Sequence, residues 1–112
     1  DTSLTDITQV SPQHFVCGDA NGKIKLIDLK KFSMVDLLGH KSPITKLSGL
    51  GDLLFSGSGN GWILVHNITT RQCLYGIDVC DKVAVTAMEV VPDYNCLVAA
   101  GGDGNILLFD YA

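Results

Sequence analysis

The chain of 112 residues is 46% hydrophobic and 18% charged, which suits a single packed core and excludes a disordered or solvating segment. Its formal net charge of −4, with no basic run longer than Lys30-Lys31, disfavours a nucleic-acid backbone as ligand. No apolar run approaches the roughly 18 residues that span a bilayer, and the polar opening DTSLTDITQ lacks the order of a signal peptide, so the reading is a non-secreted chain without membrane insertion.

Taken in chain order, the predicted elements are all strands. Leu4 to Val10 ends at the turn signal Ser11-Pro12, and His14 to Cys17 leads to Asn21-Gly22. Ile24 to Leu29 and Phe32 to Leu38 follow, separated by Lys30-Lys31. The cycle then restarts with Ile44 to Leu50, Leu53 to Ser56, Ile63 to Ile68 and Gln72 to Val79. A third round has Val83 to Val91, a turn over Pro92 to Asn95, Cys96 to Ala99 and Ile106 to Tyr111. High β-branched and aromatic content favours strand over helix throughout.

Three segments superimpose without gaps: CGDANGKIKLIDL, SGSGNGWILVHNI and Ala99 onward through AGGDGNILLFDY. Their turn glycines Gly22, Gly61 and Gly104 are 39 and 43 residues apart, close to the ~40–45 of a four-stranded propeller blade. Asn21-Gly22, Asn60-Gly61 and Asp103-Gly104 are dipeptides that accept positive φ at both central positions, as a tight primed hairpin turn demands. Labelling the four strands of a cycle a to d, the chain reads abcd, abcd, abc, with units at 4–38, 44–79 and 83–111 inside one partial domain, 1–112.

These residues resemble the WD-repeat β-propeller family, whose pattern is a Gly-His pair, a small-residue strand, an Asp-Gly turn and a closing Trp-Asp. Gly39-His40, Ser56-Gly57-Ser58 and Asn60-Gly61 carry the best match, while the close is degenerate at Ile27-Asp28, His66-Asn67 and Phe109-Asp110. The resemblance implies an all-β fold of propeller blades in an incomplete ring of about three. It also implies a hydrogen-bonded set of His40, Ser56 and Asn60, with His66 where the family has Trp, and Asp103 with Phe109 in the last copy. Divergent blades should lean on apolar packing, for which Phe15, Ile24, Leu26, Phe55, Ile63, Val65, Leu97, Ile106 and Leu108 are the expected core.

A closed propeller of at least four blades needs ~160 residues, so this length cannot close alone. The third cycle also lacks its outer strand, as in the C-terminal part of a propeller. A fragment, a chain completed by another, and a stable three-blade monomer are the three readings. The last would leave unpaired edges and bare faces.

Chemistry finds little purchase in the sequence. His14, His40 and His66 have no Ser or Cys and acid at a triad spacing, and His40 reads as a structural loop residue. The glycine-rich stretches lack a P-loop lysine and lead into strands. Cys17, Cys73, Cys80 and Cys96 form no C-x-x-C, so no metal and no cofactor is expected, and reduced thiols suit the cytosol, with the nucleus as the other compartment. The resemblance instead implies a non-enzymatic scaffold for other proteins. Its loop face would carry Lys41, Trp62, Asp81 and Lys82, with the remaining blades supplied in cis or in trans.

Overall fold

The computed structural model describes residues 3–79 and 83–111. Among them are eleven strands, β1 (Leu4–Ser11), β2 (His14–Asp19), β3 (Ile24–Asp28), β4 (Ser33–Leu37), β5 (Ile44–Leu50), β6 (Leu53–Ser58), β7 (Trp62–Asn67), β8 (Gln72–Asp78), β9 (Val85–Val91), β10 (Cys96–Gly101) and β11 (Ile106–Asp110). Each strand pairs antiparallel with the next inside its own sheet, giving β1-β2-β3-β4, β5-β6-β7-β8 and the three-stranded β9-β10-β11. The fold is therefore an arc of propeller blades, 40 × 38 × 18 Å, without a closed ring. The turn expected over Pro92 to Asn95 is a single 3-10 turn, Pro92–Tyr94, ended by Asn95 in the left-handed region. The segment before β9 is shorter in strand than expected, since pairing with β10 starts at Val85.

The hairpin turns differ from the expected primed type. Gly22 has φ +85°, whereas Asn21 is not among the residues with positive φ. The Gly22 amide donates to the Asp19 carbonyl (3.1 Å), and the Asp19 amide donates to the Lys23 carbonyl (3.1 Å). This is a three-residue loop in which an ordinary turn is followed by one left-handed residue, and Gly61 and Gly104 repeat it. Only the glycine needs positive φ, which is why Asn or Asp precedes it by preference rather than necessity. A side chain at Gly22 would also strike the His40 carbonyl.

Burial runs between sheets. Val16, Ile24, Leu26 and Leu37 of the first sheet pack on Ile44, Leu47, Leu54 and Ile68 of the second. Phe55, Ile63 and Val65 on the opposite side of that second sheet pack on Val85, Leu97 and Ala99 of the third. Two aromatic contacts cross the latter boundary, Phe55 with Tyr111 (centroids 5.5 Å apart) and Tyr75 with Phe109 (5.8 Å). Small residues set the approach. A Cβ at Gly18 would lie 2.4 Å from the Ile44 side chain, and one at Gly57 would lie 2.9 Å from Val85.

Most of the expected core residues are buried, namely Ile24, Leu26, Phe55, Ile63, Val65 and Leu97. Three are not. Phe15 is only half-buried, and Ile106 and Leu108 are each 72% exposed. The alternation in β11 is as expected, but its Ile106 and Leu108 side points away from the second sheet, and no described sheet lies over it. Leu107 and Phe109 face inward in their place.

Two predictions follow from this packing. Gly18→Ala should force the first two sheets apart and lower unfolding free energy by about 1–3 kcal/mol, the usual range for an overpacked core, read as a lower midpoint in a urea titration. Phe32 holds φ +56° with 93% of its surface exposed, so it pays for a left-handed backbone without burying its ring. Phe32→Gly should raise stability by about 0.5–1 kcal/mol in the same titration.

Candidate functional site

The loop between β4 and β5 and the β6–β7 turn meet on one face of the arc. The His40 amide donates to the Gly22 carbonyl (2.8 Å), and the Val79 amide donates to the Gly61 carbonyl in the same way one sheet later (2.8 Å). These bonds tie the chain leaving the first sheet, at His40, and the second, at Val79, to the sheet's own central hairpin. The loop between β4 and β5 thereby becomes a defined surface.

On that surface a shallow cavity of about 320 Å³ is lined by Gly39, His40, Lys41, Asn60, Trp62 and Leu64. Trp62 opens β7 and pairs with Asp78 of β8. Its six-membered ring edge sits over Gly76, where a Cβ would lie 3.2 Å from ring carbons. The ring is thus braced from beneath by bare backbone, yet 40% of the residue stays exposed. Lys41 is exposed at the other side of the cavity. An aromatic ring fixed in position beside a cation offers apolar area at little entropic cost together with a charge that reads sign. Of the four residues expected to form the patch, Lys41 and Trp62 are brought together; Asp81 and Lys82, like Cys80, lie outside the described residues.

The hydrogen-bonded set implied by the resemblance is present only in part. His40 Nε2 and Ser56 Oγ are 2.9 Å apart, and Ser56 donates weakly onward to the Leu64 carbonyl (3.4 Å), so His40 is the donor to Ser56. Asn60 does not join them. Its Oδ1 accepts from Ser58 Oγ and from the Trp62 amide (3.4 Å), closing the turn locally. His66, in the position of the family's Trp, is wholly buried and donates from Nε2 to the Leu38 carbonyl (2.8 Å), leaving Nδ1 without a hydrogen bond. Asp103 likewise serves its own turn, accepting from the Asn105 amide (3.0 Å) and side chain (2.9 Å).

Burial pushes the His40 imidazole down to about 4; the Ser56 contact opposes that shift and the neighbouring His66 charge adds to it. His66 is lowered for the same first reason, against its bond to Leu38. Both rings are neutral at physiological pH, as befits structural groups.

Three polar groups escaped the sequence reading. Asp6 Oδ2 accepts from the Leu47 amide across the first sheet boundary (2.9 Å). Asp19, buried in its turn, accepts from the Asn21 and Lys23 amides (2.9 Å each). His14 is the third: although no sequence spacing groups a histidine with a hydroxyl and an acid, the fold brings it to both. Its Nδ1 lies 2.7 Å from Ser11 Oγ and its Nε2 lies 3.5 Å from Asp28 Oδ2. Ser11 Oγ also accepts from the amides of Gln13 (3.4 Å) and His14 (3.1 Å), and Asp28 accepts from Lys30 and Lys31 amides and Gln13 Nε2. With its lone pairs engaged by backbone, the Ser11 hydroxyl is a turn clasp and a poor nucleophile. The signal that could have found it is the strand register, which sets His14 opposite Ser11 on one side and Asp28 on the other.

Residues 31–67 and 71–110 match the family model described as "WD domain, G-beta repeat". The chain belongs to the WD-repeat family. It is 31% identical over 86 residues to the ribosome biogenesis protein BOP1 homolog of Dictyostelium discoideum, across 72% of this chain and 10% of that protein. The chain thus spans about a tenth of the relative it matches. Among solved structures, the computationally designed Ika4 protein superimposes with TM-score 0.87 at 28% identity, covering 98% of this chain and 67% of the other. A chain of the mitotic checkpoint complex gives TM-score 0.88 at 20% identity, covering 97% and 34%, a likeness of fold alone. Among the described residues, the first two WD blades have four strands each and the third has three.

The pH dependence follows from the two histidines. In the unfolded chain each takes up a proton near pH 6.5, whereas folded His40 resists until about 4, so the unfolded state binds more protons between these values. The His40 contribution is complete above pH 6.5 and is lost as pH falls toward 4, by roughly 1–3 kcal/mol once solvent screening of its exposed part is discounted, and His66 acts in the same direction. Denaturant midpoints measured from pH 7 downward should fall accordingly. His66→Phe, which copies the residue of the third blade, should flatten part of that slope.

Proposed function

We propose that this WD-repeat chain is a non-enzymatic scaffold that holds other proteins on its loop face, working as part of a larger propeller. The observation that carries this reading is Trp62, held over Gly76, 40% exposed and sharing one cavity with exposed Lys41. A partner segment with an apolar side chain followed by a carboxylate fits both groups. Asp81 and Lys82 belong to the proposed patch by their place in the sequence alone, between Asp78 and Val85. The acidic balance of the chain supports protein over nucleic acid as the ligand.

No helix among the described residues is long and apolar enough to cross a membrane, and the proposed setting is the cytoplasm or the nucleus. The similarity to a ribosome biogenesis protein makes ribosome assembly particles the first place to look for the partner.

Trp62→Ala should weaken partner capture by at least tenfold, the scale of a central aromatic anchor, while far-UV circular dichroism stays that of the parent. Lys41→Glu should weaken it through charge reversal with the same fold retained. Unfolding of the Trp62→Ala chain would show the ring to be core and end the proposal. Undiminished capture by both variants would do the same.

A further inference from the structure

A cleft of about 210 Å³ opens between the first two blades, at the end of the sheets away from Trp62. In an antiparallel meander the β1–β2, β3–β4 and β7–β8 turns lie opposite to the β2–β3 and β6–β7 turns, and the former supply Gln13, Lys31 and Arg71 to the cleft. Leu26, Val35 and Ile68 form its apolar part. By register, His14, Leu26, Asp28 and Val35 share the face that the first blade turns toward the second. Both walls therefore belong to blades that touch one another.

Asp28 is already engaged inside its own wall. Its Oδ1 accepts from the amides of Lys30 (3.0 Å) and Lys31 (3.2 Å) and from Gln13 Nε2 (3.2 Å), and its Oδ2 lies 3.5 Å from His14 Nε2. The next blade shows that the turn itself needs no charge. There Asn67 Oδ1 accepts from the amides of Thr69 (2.9 Å) and Thr70 (3.1 Å), and Leu53 stands opposite Asn67 as His14 stands opposite Asp28. What remains for a ligand is the pair Lys31 and Arg71, both exposed and, among the described residues, in no ion pair. Arg71 holds φ +65°, in the region that glycine occupies at less cost. The conformation belongs to the turn, since Phe32 shares it one blade earlier, but the choice of arginine does not. A strained backbone under a charged side chain at the mouth of a cleft points to what that side chain binds.

We propose that this cleft takes a glutamate side chain from a partner protein, its carboxylate on Arg71 and Lys31 and its methylenes along Leu26, Val35 and Ile68. A guanidinium meets the two oxygens of a carboxylate as a fork, and Ser33 adds a hydroxyl to the same lining. Formal charge sets the valence of the ligand. Lys31 and Arg71 against Asp28 leave one positive charge with histidine counted neutral, and Asp52 stands behind Thr69, whose hydroxyl donates to it (3.1 Å). A monoanion balances that charge, whereas a phosphomonoester, near −2, meets repulsion from both acids. Size sets its source, because the volume is below the roughly 300–1,000 Å³ of small-molecule sites and suits the end of one side chain carried by a larger partner. The cleft shares no lining residue with the Trp62 cavity.

The test is a 1H-15N NMR titration of the chain, at constant ionic strength and into the millimolar range, with acetyl-Gly-Glu-Gly-amide, its glutamine analogue and its phosphoserine analogue. The glutamate peptide should give saturable shifts centred on the Gln13, Lys31 and Arg71 amides, the glutamine peptide none, and the phosphoserine peptide weaker binding. Arg71→Gly should weaken glutamate binding roughly tenfold or more, as loss of a charge-assisted contact does, while the urea midpoint holds or rises because glycine takes this φ without strain. Arg71→Gln repeats the loss of charge should the glycine variant unfold, and Lys31→Gln should weaken binding with an unchanged midpoint. Trp62→Ala should leave this titration as it was, so failure here is distinguishable from failure of the loop-face site. Absence of saturable shifts with the glutamate peptide overturns the proposal. So does an equal response to glutamine, tighter binding of phosphoserine, or undiminished binding by the folded Arg71 variants.

Discussion

Everything in this structure depends on sheets having two apolar sides and only one way to hide them. A four-stranded sheet has no interior, so Ile24 and Leu26 are removed from water only because Ile44, Leu47 and Leu54 of the next sheet lie over them. The hydrogen bonds of the ladders define each sheet, but the free energy of burial resides at the boundaries between sheets. Gly18 and Gly57 are fixed by that constraint, because the approach is closer than any side chain would permit. The half-buried state of Phe15 and the exposure of Ile106 come from the same source, since a propeller residue is core only when a neighbour is present.

This explains what was legible in the residues. Strand positions, the repeat spacing and the all-β class depend on local pattern and turn chemistry, and they were readable. Which side of a terminal strand is buried depends on what lies beyond it, so Ile106 and Leu108 were assigned to the core by analogy with Ile24 and Ile63 and lie outside it. The turn type was missed because Asn-Gly serves both a primed turn and a turn ending in a single left-handed residue, and only the backbone distinguishes them. The grouping of Ser11, His14 and Asp28 required strand register, which no single spacing reveals.

The polar network is reduced in a coherent way. Where the family joins four side chains, this chain keeps the His40–Ser56 link and gives the remaining groups local tasks: Asn60 closes its turn and His66 meets the Leu38 carbonyl. The loop between β4 and β5 is therefore held by the His40–Ser56 bond and by backbone bonds from His40 to Gly22 of the first blade and from Gly59 of the second to Pro43, instead of a relay. Losing Trp from its blade-locking position is compatible with having Trp62 four residues earlier, where the ring is braced by Gly76 and available to another molecule.

The inter-sheet contact is directional: each blade offers one kind of face ahead and another behind. An arc built this way has polarity, like a filament with distinct ends, and the curvature set at each joint decides between closure and unlimited growth. The bulk of one residue at a joint, such as Gly18 where any Cβ would strike Ile44, therefore bears on topology as well as stability. Slight flattening at each boundary would turn a curving row of blades into a straight stack.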